Sequence, residues 1–237
     1  MMPPHIKAIP AQTTSEKDIL GPVVLTISDL ESHPNSLTVT GYSLNPDMLS
    51  SDNITVVGSG ESRLLFIETQ DKAYGTVNIV MTVIDPQGLT QSAQFPLYIN
   101  DRPDIEAPSM VTLTEDRPYT LNFFVLDAES APCAITPVIL SANNTLIDPE
   151  KIDFGCIDNE YTALILPQTN ESGTCMLTLM VSDNITDAVA IITAIILPIN
   201  DAPVIQVAQP TKTYTENAPP LRICADAELV DVDTLSF

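Results

Sequence analysis

LYINDRPDI, residues 97–105, returns as LPINDAPVI at residues 197–205, one hundred positions later. Both stretches hold an alternating apolar ending, an Ile-Asn-Asp step and a proline. Aligning them brings much of the chain into register. TTSEKDILGPVVLTISDLES (13–32) matches TLTEDRPYTLNFFVLDAES (112–130), and YGTVNIVMTVIDPQGLTQSAQFPLYIND (74–101) matches SGTCMLTLMVSDNITDAVAIITAIILPIND (172–201), at an offset of 98 to 100 residues. This is an internal repeat, and its period is one domain length. A third copy opens at Pro203 and the sequence stops inside it, at Phe237. The expected organisation is a first β-sandwich over 1–101, a second over 102–201 and the incomplete start of a third over 202–237. The last segment holds only the first strands of its unit. From about Thr211 onward it is expected to be disordered or a loosely attached ribbon. A chain that ends inside a repeat is expected to be part of a longer array or a truncated product.

Each unit reads as short strands. Val77, Ile79, Met81 and Val83 alternate with polar residues, as do Phe95, Leu97 and Ile99, and Leu177, Leu179 and Val181. A two-residue period is that of a half-buried strand. Leu37 and Val39 give a shorter alternation, and VVGSGESRLL (56–65) reads as a hairpin, with Gly58 and Gly60 free to take positive φ. Proline and Asn-Asp or Gly-Ser clusters interrupt the runs every 8 to 15 residues, and no stretch sustains a helical period. About seven strands in about 100 residues predicts an antiparallel Greek-key sandwich. Pro103 and Pro203 stiffen the crossings between units because proline fixes φ and lacks a donor.

Composition narrows the function. The chain has 31 acidic and 9 basic residues, a formal net charge of −22. Nucleic acid and anionic membrane surfaces, which need basic patches, are not expected partners. The longest apolar run, AVAIITAIILPI (188–199), is too short to cross a bilayer, so no membrane insertion by this segment is expected. MMPPHIKAIP lacks the apolar centre of a signal peptide. That leaves a piece of a longer chain, export by a signal outside it, or a cytosolic protein. Cys133, Cys156, Cys175 and Cys224 form no CxxC pair, which argues against zinc. The expected state is buried apolar thiols, and spacing alone leaves a Cys156–Cys175 bridge open. His5 and His33 sit in tail and loop sequence, GSGES lacks the lysine of a phosphate loop, and tryptophan is absent. No enzyme is expected. Sequons at Asn53, Asn143, Asn170 and Asn184 bear on function only in a secreted eukaryotic protein.

The ordered combination of these segments, from IPAQTTSEKD through FVLDAES, LTVTGYSLNPDMLSSDNITVVGSGESRLLFI and GTVNIVMTVID to IND, resembles the Ig-like, cadherin-like tandem repeats of large secreted or surface adhesin-type proteins, chiefly bacterial. The resemblance covers almost the whole chain. It implies an all-β, end-to-end array of sandwiches serving as an extracellular or cell-surface stalk, and calcium ions that stiffen its junctions. The partners it implies are a cell-surface protein or glycan and the remainder of a longer repeat chain. The alternatives are a glycan- or protein-binding module and accessory domains of a large secreted enzyme.

The acids fall where such junctions would form. In Greek-key order the loops carrying Asp127, Glu129 and Asp183 lie at the leading end of unit two. Glu16, and Asp71 in a QDKA turn, lie at the trailing end of unit one, with Asn100 and Asp101 between. The second junction offers Glu115, with Asp116 beside it, Asn200, Asp201, Asp231 and Asp233; the matching TNES turn makes Glu171 a weaker candidate. Asp29, Glu31 and Asp85 form the matching leading end of unit one. Calcium takes 6 to 8 oxygen ligands, which such a set supplies. The plainer reading is a solvated acidic surface, since Asp and Asn commonly cap β-turns. No EF-hand loop is present, so any site is assembled between domains.

Overall fold

The computed structural model describes residues 1–207, 211, 213–222 and 227–233. The first eight strands are β1 (His5–Ile6), β2 (Gln12–Ser15), β3 (Ile19–Ser28), β4 (Thr38–Ser43), β5 (Ile54–Val57), β6 (Ser62–Glu68), β7 (Gly75–Ile84) and β8 (Thr90–Asn100). They form two four-stranded sheets, β1-β3-β6-β5 and β2-β8-β7-β4. The next eight are β9 (Asp104–Glu106), β10 (Met110–Thr114), β11 (Tyr119–Leu126), β12 (Val138–Ser141), β13 (Asp153–Ile157), β14 (Glu160–Ile165), β15 (Gly173–Ser182) and β16 (Asp187–Leu197). Their sheets, β9-β11-β14-β13 and β10-β16-β15-β12, repeat the same order. This is an all-β chain of tandem β-sandwiches. Each has seven strands of which the first is split between the two sheets.

The split has a local cause. β1 pairs antiparallel with β3, and β2 then pairs parallel with β8; β9 and β10 do the same on β11 and β16. Pro10 and Pro108 lie between the two halves. A residue without an N–H cannot continue the ladder, so pairing ends there and the chain crosses to the opposite sheet.

The alternating residues point inward as their period requires. Ile79, Met81, Val83, Phe95, Leu97 and Ile99 are fully buried in one core, and Leu177, Leu179, Ile192 and Ala194 in a second. Buried apolar side chains are each worth about 1.5–3 kcal/mol, so these two cores dominate stability. The hairpin expected at residues 56–65 is β5–β6, with Val57 opposite Leu64 and Gly58 and Gly60 at φ +101° and +80°.

Two sequence readings are corrected. Cys133 and Cys156 are not free thiols: they form a disulfide that ties the β11–β12 loop to β13, with Cα atoms 5.7 Å apart. Cys175 is free and buried, so the Cys156–Cys175 bridge does not exist. Cys156 lies on β13 and Cys175 on β15, in opposite sheets. Cys224 lies outside the described residues.

The second correction concerns the repeat itself. Ser15 pairs with Asn100 at the end of β8, whereas Thr114 pairs with Leu197 at the end of β16. The Glu16 N–H donates to the Asn100 carbonyl at 2.9 Å, and the Glu115 N–H donates to the Leu197 carbonyl at 3.1 Å. The structural counterpart of Asn100 is therefore Leu197. Asn200 comes three residues later, outside the strand and exposed, while Asn100 is buried. The matching IND letters occupy different positions in the two units, and the second connection is longer.

Beyond it, β17 (Val204–Val207) and β18 (Ala227–Val230) form a two-stranded antiparallel ribbon. The side chains of β17 are all exposed. The remainder of what was expected beyond Thr211 falls partly on residues 212, 223–226 and 234–237, outside the described residues.

Candidate functional site

Strand β8 delivers Asn100 and then Asp101 to the turns of the next sandwich. The Asn100 side-chain amide donates to Asp183 Oδ2 at 2.7 Å and also to the Asp101 carbonyl. Asp183 sits in the β15–β16 turn, where its Oδ1 accepts the N–H groups of Ile185 at 2.7 Å and Thr186 at 2.6 Å. The Asp101 N–H donates to both carboxylate oxygens of Glu129, at 3.2 and 3.3 Å, and Asp101 Oδ2 accepts the Ala128 N–H at 3.0 Å. Asp127 Oδ1 accepts the N–H groups of Glu129 and Ser130, at 3.2 and 2.7 Å. Turns of this kind form because a short carboxylate reaches the backbone two or three residues on. Five of the acids and amides singled out by sequence, Asn100, Asp101, Asp127, Glu129 and Asp183, are thus brought together.

Glu16 and Asp71 flank this group. Glu16 is buried, and its carboxylate accepts the Lys72 N–H. Asp71 makes an ion pair with Lys17 at 2.7 Å, which holds its carboxyl below the usual carboxylate range. Glu16, Asp71 and Asp101 line one cleft together with Lys17, Arg102 and Asp104. Asp71 is paired there with the Lys17 ammonium, and the charges acting on it are those of Lys17 and Lys72.

Sequence reasoning about acids missed three groups. Arg102 Nε donates to the Glu16 carbonyl at 3.1 Å, so a cation already sits at the seam. Thr186 Oγ1 accepts from Asn100 and donates to Asp183. The Tyr98 hydroxyl is pushed up first by burial and then by the charges of Glu129, Asp127 and Asp183. Tyr98 lies inside the repeated LYIND stretch, where the second unit has proline; that difference was its only signal.

The second junction repeats part of this pattern with different residues. Glu115 is buried and accepts the Ile199 N–H at 2.7 Å. The Asn200 amide donates to the Asp201 carbonyl at 2.9 Å. The Asp201 N–H donates to Asp233 Oδ2, and the Asp233 N–H donates to Asp231 Oδ1 at 2.9 Å. Oxygens of Glu115, Asp201 and Asp233 lie within 4.8 Å of one another. Among the described residues this is the tightest convergence of carboxylates. Asn200 and Glu171 are exposed; the Asn200 side chain meets this group only through the Asp201 carbonyl, and Glu171 is not among the three converging carboxylates.

The electrostatics of both seams carry an unmet demand. Asp101 is pushed up by burial and then by the charges of Glu16 and Asp127. Glu129 is pushed up by burial and then by Asp127 and Asp101. Asp201 is raised by desolvation and by Asp116, Asp233 and Asp231. For Asp183 burial is outweighed by hydrogen bonds from Asn100, Thr186 and Ile185, and its carboxyl is held low. Asp127 Oδ2 and Asp201 Oδ2 are shielded from solvent and have no hydrogen-bond partner among the described residues; the same holds for Asp29 Oδ2, in the equivalent turn of the first unit. A shielded carboxylate oxygen without a partner costs stability unless something positive meets it.

No family model matches the chain, and no curated protein matches it. Solved structures do. The I-band fragment I67–I69 of titin superposes with a TM-score of 0.51 at 10% identity, covering 86% of this chain and 68% of that one. An E-to-A variant of the same three Ig domains gives 0.51 at 11% identity, with coverage of 86% and 68%. Those likenesses establish the Ig-like tandem fold and nothing finer. The human desmocollin-1 ectodomain is looser, at a TM-score of 0.41 and 16% identity over 89% of this chain and 44% of that one, and carries no argument. No helix among the described residues is long and apolar enough to cross a membrane.

Proposed function

We propose that this chain is a non-catalytic structural segment, a stalk or spacer of stacked sandwiches in an extracellular or surface-anchored protein, whose junctions are stiffened by calcium. In this reading residues 1–101 and 102–201 are the units, and residues 202–237 open a third. The carrying observation is the convergence of carboxylate oxygens of Glu115, Asp201 and Asp233 at the second seam, with the shielded oxygens of Asp201 there and of Asp127 at the first seam left without partners among the described residues. All the groups there are hard oxygen donors, the ligand set calcium prefers over softer metals. At the first seam Asn100, Asp101, Asp127, Glu129 and Asp183 would hold the ion, with Glu16 beside them. At the second, Glu115, Asp201, Asp231 and Asp233 would.

The physical effect follows from charge. Neighbouring carboxylates about 5 Å apart repel by roughly 1 kcal/mol per pair, more where water is excluded. A divalent ion reverses that sign and gives two sandwiches a common ligand shell. Inter-domain contacts are otherwise small, and a hinge is the default.

Calorimetric titration of the 237-residue chain with calcium tests the reading. Binding is expected, in the range of about 0.1–1 mM typical of extracellular modules, and Asp101→Asn and Asp201→Asn should each weaken it. Absence of any binding heat at several times that concentration, with no change in melting temperature, contradicts it.

A further inference from the structure

The outer face of the β10-β16-β15-β12 sheet is apolar and open. Met110, Val138, Leu140, Met176, Val189 and Ile191 project from it and are 49–59% exposed. They are adjacent in the sheet: Val138 lies opposite Met180 and Met180 opposite Val189, Leu140 opposite Thr178 and Thr178 opposite Ile191, and Thr193 between Met176 and Met110. The remaining outward positions are mostly threonine and aliphatic, and the one charged residue among them is Asp187, at the start of β16. On a chain with a net charge of −22, a sheet face with a single charge at its margin is anomalous. Large exposed apolar patches mark interaction sites.

The first sandwich supplies an internal control. By strand register its equivalent face places Ser92 and Gln94 where the second has Val189 and Ile191, Asn78 and Thr82 where it has Met176 and Met180, and Thr40 where it has Val138; it keeps an aromatic, Tyr42, where the second has Leu140, and Val80 where it has Thr178. At those five positions, held by Val189, Ile191, Met176, Met180 and Val138 in the second unit, the fold therefore does not require apolar side chains.

We infer that this face is a self-association surface, on which a second copy of the chain docks sheet against sheet. Two observations support a second copy as the occupant. The first is size. The four strands hold 5, 4, 10 and 11 residues, which at about 3.3 Å per residue and about 4.8 Å between strands makes a face of roughly 500 Å². Paired with itself, it buries about 1,000 Å² in total, the lower bound for specific association. The second is charge. A basic partner finds a single carboxylate on this face, Asp187 at the start of β16, and none among the apolar positions. Two copies meeting here keep the acids of the opposite sheet, Asp104, Glu106 and Glu160, on the outside of the dimer. The contact is isologous, one patch against itself about a two-fold axis, and two sheets pack about 10 Å apart as in any sandwich. Methionines at Met110, Met176 and Met180 suit it, being adaptable in shape.

Sedimentation velocity of the 237-residue chain over about 1–500 μM, with chelator throughout, separates this inference from the cation reading. The expected result is a rise of the weight-average mass toward twice the monomer value with concentration. It should be stronger in about 0.5 M salt than in 0.05 M, because salt screens repulsion between two anionic chains and leaves apolar contact intact. The triple variant Val189→Ser, Ile191→Gln and Met176→Asn, which installs first-unit residue types, should stay monomeric with its melting temperature kept. The single Ile191→Glu should do the same and covers the case in which the triple variant folds poorly. A wild type monomeric throughout overturns the inference. So does a dimer unaffected by either variant, a dimer that persists in denaturant without reductant, or a monomer that instead binds neutral phosphatidylcholine vesicles through this face.

Discussion

The Asn100 amide and the Asp183 carboxylate meet at 2.7 Å although 83 residues separate them in the chain. One lies at the last position of β8, the other in the turn between β15 and β16. It joins the two sandwiches together with the Asp101–Glu129, Ala128–Asp101 and Arg102–Glu16 hydrogen bonds. Asn100→Ala should cost about 1–2 kcal/mol, the typical worth of a hydrogen bond to a charged group that is partly exposed. Urea unfolding checks the loss, and NMR titration of Asp183 should show its pKa moving up toward the ordinary carboxylate value.

Protonation of the seam has a defined sign. Asp101 and Glu129 are raised in the folded chain, first by burial. A raised carboxyl favours folding below its ordinary pKa near 4, and that contribution is lost as pH rises through the folded value. In chelator at neutral pH the two therefore oppose folding. Glu129→Gln keeps an acceptor for the Asp101 N–H but removes the charge, and it should raise the melting temperature by about 1–4 °C under those conditions. In millimolar calcium the same substitution should lower it. Asp183 runs the other way: its lowered carboxyl stabilises at neutral pH and loses that contribution as pH falls through its folded value. Thermal melts at pH 7, with and without calcium, read the reversal.

Gly21 is fixed by backbone conformation and by space. Its φ is +137°, and an added Cβ would stand 2.7 Å from Phe66 Cδ1 and 2.8 Å from the Leu65 carbonyl oxygen. The chain is irregular here, with the β3–β6 register shifting between Leu20 and Val23. Gly21→Ala should destabilise by about 1–3 kcal/mol, by strain and displacement of β6. Denaturant unfolding of the variant measures this.

The Cys133–Cys156 bridge closes a loop with a sequence separation of 23. Loop-closure entropy assigns such a bridge about 3 kcal/mol. Replacing both cysteines by serine should lower stability by about that amount, within the second sandwich alone. Hydrogen exchange should show faster opening of β11–β16 amides and unchanged protection in β3–β8.

Period-two alternation in Val77–Val83 and Leu177–Val181 made the inner strands legible, because burial on one face leaves that pattern and no other. The Gly58 and Gly60 hairpin was legible through φ preference. The acids of the first seam were legible through Greek-key order, which places distant turns at one end. Four things were not. The repeated IND letters hid a three-residue difference in where the last strand ends, since letters carry no hydrogen-bond register. The Cys133–Cys156 pairing depends on how a loop crosses β13, which spacing does not encode. The apolar outer face of the second sandwich was read only as strand, because in AVAIITAIIL both faces are apolar and alternation is lost. Arg102 escaped notice because attention to carboxylates ignored the cations beside them.

The central claim is that the seams are cation-dependent joints between stacked sandwiches. Small-angle scattering of the chain measures it most directly, in millimolar calcium and then in excess chelator, at concentrations low enough to hold it monomeric. The account predicts a longer maximum dimension and a narrower distance distribution with calcium, and a shorter, broader one on chelation, reversed by adding calcium back. Identical profiles in the two conditions contradict it.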